Sequence, residues 1–338
     1  MWREVGDLTS YAACWDGKTP APLCYGDVTL AFSDGTAYVT INTPSSKAAL
    51  MKFNGSAWES VGAFGFSEGP AFLQSPAFVG TTPYVAFRDD AHQFKATAMR
   101  YNGSAWEYVG APGLSVGAVG ALSLVVSGTT PYLGFSDQGQ QGRGTVMKLN
   151  GTAWENVGAA GALPGFLEMT LSGTTPYVLF RDLGTGTVMR FTGTVWENVG
   201  SGPLGSGRDE SYAFSGTTPY SAAAGGGTNS DLTVRRISGS AWEIVGMAGL
   251  SGTGAGYNAL AFSGATPYVA FEETNFFGDP GLASVMRFNG GAWELVGQRS
   301  FTSYGVIRLS LAFLGTTPYL AVDEERDVRH YPRVFKYE

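Results

Sequence analysis

The chain has 338 residues and a formal net charge of −7, with an isoelectric point near 5.0. That balance excludes a nucleic-acid phosphate backbone as partner, since such binding needs a basic face. Charged residues are few (14%) while aromatics (13%) and 49 glycines are plentiful, which fits many strands and tight turns around a filled interior and excludes disorder.

No run of about 18 apolar residues occurs, so no membrane-spanning helix is expected. The opening MWREVGDLTS lacks the apolar core of a signal peptide. The next stretch is an irregular loop holding the chain's two cysteines, Cys14 and Cys24. Two cysteines so close, with none elsewhere, read as a local disulfide rather than a metal site, which would want four ligands. Such a bridge favours an oxidising compartment. The alternative is a pair of free thiols, each a small apolar residue.

Beyond that loop a four-part unit repeats. Its clearest copy opens with the apolar run ALSLVVSG at 121–128 and continues with TPYLGFSD at 130–137, where Pro is tolerated because it starts a strand. Two hairpin arms follow, TVMKLN and TAWENVG. The hairpin phrase returns as LMKFNGSAWESVG, AMRYNGSAWEYVG, VMRFTGTVWENVG, VRRISGSAWEIVG and VMRFNGGAWELVG. Asn-Gly between alternating arms predicts a type I′ turn, with both central residues at positive φ. On that pairing Met99 faces Trp106, and Arg100 and Glu107 are diagonal neighbours.

The marker tryptophans Trp2, Trp58, Trp106, Trp154, Trp196, Trp242 and Trp293 are 56, 48, 48, 42, 46 and 51 residues apart. Four strands per unit at this period predict an all-β, seven-bladed β-propeller occupying residues 1–338 as one domain. The seventh hairpin is split between RVFKYE at one end and MWREVG at the other. The N-terminal strand should therefore complete the C-terminal blade, a one-plus-three closure. The short SGTT and NG turns then lie at one end of the blades, and the longer, variable links at the other.

Features present in every unit read as scaffold. These include the basic residue of the third strand (Lys52, Arg100, Lys148, Arg190, Arg236, Arg287, Lys336), the Glu after most marker tryptophans, and the tryptophans themselves. Acids that close the second strand, such as Asp89, Asp137, Asp182, Glu272 and Asp323, have a local hydrogen-bonding reason to precede a turn. They are interrupted by Ala222-Ala223-Ala224, so neither a metal nor another cofactor is expected.

Features that differ between units carry the functional expectation. The variable links bring Trp15, Phe66, Phe94, Phe276, Phe277, Tyr304 and Tyr331 to one face, with carboxylates interspersed. Such a surface suits a glycan or a protein, although the same aromatics would also serve to pin long loops down. A second reading is self-association into an extracellular filament or surface layer through heterologous contacts. A third is a polysaccharide-active enzyme, for which two facing carboxylates would be needed. Only His92 and His330 are available as histidines, and no nucleophile or phosphate-loop motif appears, so a non-enzymatic role is expected. Three hairpin tips, Asn54, Asn102 and Asn150, spell the N-glycosylation sequon.

The phrases GTTPYVAF, VMRFNGSAWE and the trailing VG resemble a tandem repeat of extracellular proteins from bacteria and green algae. The resemblance spans essentially the whole chain. It implies a propeller and secretion, and it carries over no catalytic or ligand residue.

Overall fold

The computed structural model describes residues 1–11, 27–166, 168–182, 185–200, 210–224, 231–252, 254–273, 281–326 and 329–338. Among these, 28 strands form seven four-stranded antiparallel sheets. The protein is a seven-bladed β-propeller. By packing it divides into two compact units, one holding blades one to four and the other blades five to seven with the N-terminal strand.

Blade two shows how the sequence builds a sheet. Its strands are Ala71–Val79, Thr82–Asp89, Lys95–Tyr101 and Trp106–Tyr108. Pro83 stands at the start of the second strand, where its missing N–H is tolerated. The second and third strands are buried over most of their length, because neighbouring blades cover both faces. Small residues of blade two, Ala86 and Ala98, meet Leu124, Leu133 and Phe135 of blade three in one core cluster. Each such large side chain contributes about 1.5–3 kcal/mol by leaving water.

The hairpin turn differs from the expected type. Asn102 N–H donates to the Ala105 carbonyl at 3.0 Å, which makes Gly103 and Ser104 the central pair. Gly103 has φ of 99°, whereas Asn102 is not among the residues of positive φ. A turn with only its first central residue at positive φ is of the II′ kind. The reason lies in the Asn102 side chain. Its Oδ1 accepts the N–H groups of Ser104 and Ala105 at 3.0 Å each, so Asn serves as an acceptor before the turn. Thr192 fills this role in blade four, accepting from Val195 N–H at 3.2 Å. A β-branched residue would be strained at positive φ.

The shift changes the pairing. Arg100 sits directly opposite Glu107, Met99 opposite Tyr108, and Tyr101 opposite Trp106. Arg100 Nε lies 2.6 Å from Glu107 Oε1. Equivalent contacts join Arg190 to Glu197 and Arg287 to Glu294. All are exposed, so solvent screens them and they add little to stability.

The marker tryptophans latch blade to blade. Trp106 Nε1 donates to the Val61 carbonyl of the preceding blade at 2.7 Å, and Trp154 to Val109 at 2.8 Å. Trp293 donates to Val245 at 2.7 Å. The glycine after each valine lies beneath the next indole. A Cβ on Gly110 would come within 3.0 Å of Trp154, and one on Gly246 within 3.0 Å of Trp293. Together with their positive φ, this explains the recurring VG.

The final blade consists of Gly305–Leu314, Thr317–Arg326 and Arg329–Tyr337, completed by Trp2–Glu4. Trp2 pairs with Tyr337 and Glu4 with Phe335. Trp2 Nε1 donates to Val296 at 2.6 Å, so the displaced strand carries a complete latch. The one-plus-three arrangement is present as expected.

Candidate binding surface

The second strand of each blade runs from the short turn to the opposite, loop end, where the variable residues gather. In blade two this end is built around Asp89. Its fully buried carboxylate accepts Ala91 N–H at 3.1 Å, capping the short helical turn Asp90–His92. The other oxygen lies 2.8 Å from His92 Nδ1. His92 Nε2 is 3.8 Å from Glu68 Oε2, and its ring stands edge-on to Tyr108 with centroids 6.2 Å apart. Burial, followed by the charges of Asp89 and Glu68, pushes the Tyr108 phenol up.

Beside this cluster the Arg88 guanidinium lies 4.8 Å from the Phe72 ring and 5.6 Å from the Phe94 ring. Arg88 Nε is 3.2 Å from Asp90 Oδ1. Burial raises the Asp90 carboxyl, and Arg88 opposes that rise. Phe94 is 49% exposed. Both Gln93 and Phe94 have φ of 62°, a region that a bulky L-residue rarely enters.

Blade three shows what this loop looks like without the aromatic. The turn Gln138–Gln140 is again followed by a left-handed residue, Gln141 at φ 62°. The next residue, Gly142, has φ of 77°. The same backbone is thus built with glycine where blade two carries Phe94. Asp137 is wholly structural there, accepting N–H groups from Val116, Gly117 and Gly139 at 2.8–2.9 Å.

Blade seven places a second histidine–aspartate pair at its loop end. His330 Nδ1 lies 2.9 Å from Asp323 Oδ2, while Asp323 Oδ1 is buried without a hydrogen bond. Burial raises the Asp323 carboxyl, against the pull of His330. Burial acts to lower His330, but the hydrogen bond and charge of Asp323 outweigh it and leave the imidazole raised. On the other face of the strand, Glu324 accepts Ser303 N–H at 3.2 Å and lies 3.4 Å from Arg333 Nε. Adjacent acids therefore serve opposite faces. Arg326 stands 5.0 Å over the Tyr304 ring, and Tyr331 pairs with Glu324 across the strands.

The expected site residues separate into groups. Phe94 is exposed, whereas Tyr304 and Tyr331 are partly buried. Phe66 stacks on Trp106 with centroids 4.0 Å apart and an angle of 14°, and Phe301 stacks in the same way on Trp2. Its ring is used in packing, in the place taken by Leu114 in the next link. Trp15, Phe276, Phe277, Cys14 and Cys24 lie outside the described residues. Asn54, Asn102 and Asn150 are all at exposed turns. Among the described residues no group of three His, Cys, Asp or Glu is gathered to hold a metal ion.

Sequence reasoning missed a hydroxyl in the links. Ser67, Ser115, Ser251 and Thr302 each accept a backbone N–H from the third strand at 3.0–3.1 Å. The recurring small hydroxyl after Phe or Leu was the available signal. Reasoning also missed Arg88, whose guanidinium the fold brings up to the Phe72 and Phe94 rings.

The fold places the chain in the class of seven-bladed β-propellers. No family model matches the chain, and no curated protein matches it in sequence. Solved structures do resemble it. One is YCF48 bound to D1 peptide, with a TM-score of 0.64 and 12% identity, covering 99% of this chain and 96% of that one. A second is YCF48 from Cyanidioschyzon merolae, with a TM-score of 0.60, 12% identity and coverage of 100% and 98%. A third is the SapL1 lectin in complex with alpha methyl fucoside, with a TM-score of 0.53, 16% identity and coverage of 82% and 97%. At these identities the likeness is one of fold.

Proposed function

We propose that the protein is a non-enzymatic recognition module of the cell exterior, binding a glycan or a protein surface through the loop end of its blades. Phe94 carries this reading. It occupies a left-handed position that the neighbouring blade fills with glycine, and it leaves an aromatic ring 49% exposed beside Arg88. A bulky residue there costs on the order of 1–3 kcal/mol in backbone strain, and about half of its surface stays in water. A ligand that covers the ring accounts for the residue. Comparable folds hold a peptide in the YCF48 complex and a fucoside in the SapL1 complex, which supports the binding reading. Secretion rests on the resemblance of the repeat to extracellular proteins.

The test compares wild type with Phe94→Gly and Arg88→Ala on a glycan array and against a displayed peptide library. At least one glycan or peptide should bind wild type and lose about tenfold or more in affinity with either variant. Binders that treat all three proteins alike would sink the proposal.

A further inference from the structure

A groove of about 430 Å³ opens between blades one and two, lined by Tyr38 and Lys52 on one side and by Thr82, Pro83, Tyr101 and Asn102 on the other. Its volume falls in the range of small-molecule sites. It lies at the turn end of the blades. Thr82 begins the strand whose far end leads to Phe94, so this is not the surface described above.

The repeat explains why space is left here. In blades two, four and six the third strand carries Arg, whose Nε lies 2.6 Å from the partner Glu. In blades two and six the second-strand tyrosine, Tyr84 or Tyr268, is the cross-strand partner of that arginine. The Glu contact fixes the guanidinium across the blade face. Blade one, like blades three and seven, has a lysine there, and its Lys52 ammonium lies 3.6 Å from Glu59 with the side chain 43% exposed. A lysine presents one compact charge where arginine offers a fork. On the facing wall, Tyr101 adds a hydroxyl at a position that blade three fills with Leu149.

The lining therefore combines two tyrosine rings and a proline surface with hydroxyls, an amide and one loosely paired cation. Aromatic faces suit the C–H surfaces of a sugar ring, while the hydroxyls and amide match its polar edge. The Lys52 ammonium carries three donors and its contact with Glu59 is longer than a hydrogen bond, so it can also donate to a carboxylate held in the groove. We propose that this groove binds a saccharide ring bearing a carboxylate.

The probes are D-glucuronate and D-glucose, titrated by calorimetry and by NMR to about 10 mM against protein from a bacterial host, in which Asn102 carries no sugar. Glucuronate should bind with a millimolar constant, and glucose about tenfold more weakly. Lys52→Arg and Tyr101→Leu install residues that neighbouring blades already carry, so each should fold with an unchanged melting temperature and lose glucuronate. Phe94→Gly should bind glucuronate as wild type does, which separates this site from the loop-end surface. Absence of glucuronate binding, equal affinity for the two sugars, or full binding by both groove variants would overturn the assignment.

Discussion

At the scale of single residues, the informative positions are those where one blade departs from the local chemistry of its siblings. Phe94 stands where the backbone asks for glycine. Replacing a buried, packed phenylalanine with a small residue costs about 3–5 kcal/mol. Phe94→Gly relieves left-handed strain and loses only an exposed ring contact, so stability should stay within about 1 kcal/mol of wild type in urea unfolding. A loss of core size would mean that the ring is structural. Asn102→Thr makes the opposite point. It keeps an acceptor before the turn, as Thr192 does in blade four, and should change stability by less than about 0.5 kcal/mol. Asn102→Ala removes the acceptor and should cost about 1 kcal/mol. The sequence disclosed the turn but not its register, because Asn-Gly serves two turn types and the choice depends on where the Asn oxygen finds its N–H donors. Phe94 was legible as a candidate from its absence in other units. The pairing with Arg88 was not, since a guanidinium between two rings leaves no mark in spacing.

At the scale of the element, the hairpin and the link that follows it act as one latch. Trp106→Phe keeps most of the buried ring and leaves the Val61 carbonyl without its donor, a loss of about 1–3 kcal/mol. Trp106→Ala should cost about 3–5 kcal/mol. Both are read from denaturant midpoints. The blade-seven loop end makes stability depend on pH. Asp323 and His330 both have raised proton affinity in the fold, the first through burial and the second because Asp323 outweighs burial. Each therefore holds its proton more tightly when folded. For the imidazole, the stabilisation is complete below its unfolded value of about 6.5 and is lost as pH climbs through the raised folded value. Raised carboxylates at Glu324 and Glu4 act in the same direction. The melting temperature should fall between about pH 6 and pH 8, and His330→Gln should flatten that fall. A rise with pH, or no change on substitution, would contradict the assignment. None of this was visible in the sequence, where His330 was one loop residue among several. Its carboxylate partner is fixed by strand pairing, which spacing alone did not reveal.

At the scale of the whole molecule, the repeat made the architecture legible because each unit must bury both faces against neighbours. Seven tryptophans at near-constant spacing, with one hairpin divided between the chain ends, left little freedom in the fold. Glu338 N–H donates to the Met1 carbonyl at 3.1 Å, and Trp2 and Tyr337 are cross-strand partners. In blade two the matching partners, Tyr101 and Trp106, are joined by Asn-Gly-Ser-Ala. A protein in which this tetrapeptide replaces Glu338 and Met1 as the link from Tyr337 to Trp2, with new ends opened at the Gly128 turn, should keep the fold by circular dichroism.

That divided sheet also has a consequence in time. During synthesis the strand Trp2–Glu4 emerges before the other strands of the propeller, and its partner Arg329–Tyr337 emerges after them. The strand Trp2–Glu4 must wait, with one backbone edge unpaired, until the other strands of the last blade have been made. Contacts separated by the whole length of the chain are slow to close. The last blade should therefore be the slow step of refolding, and the permuted protein, which makes that pairing local, should refold faster than its parent in stopped-flow fluorescence. Equal rates would show that the order in which the two ends are made has no bearing on how the molecule assembles.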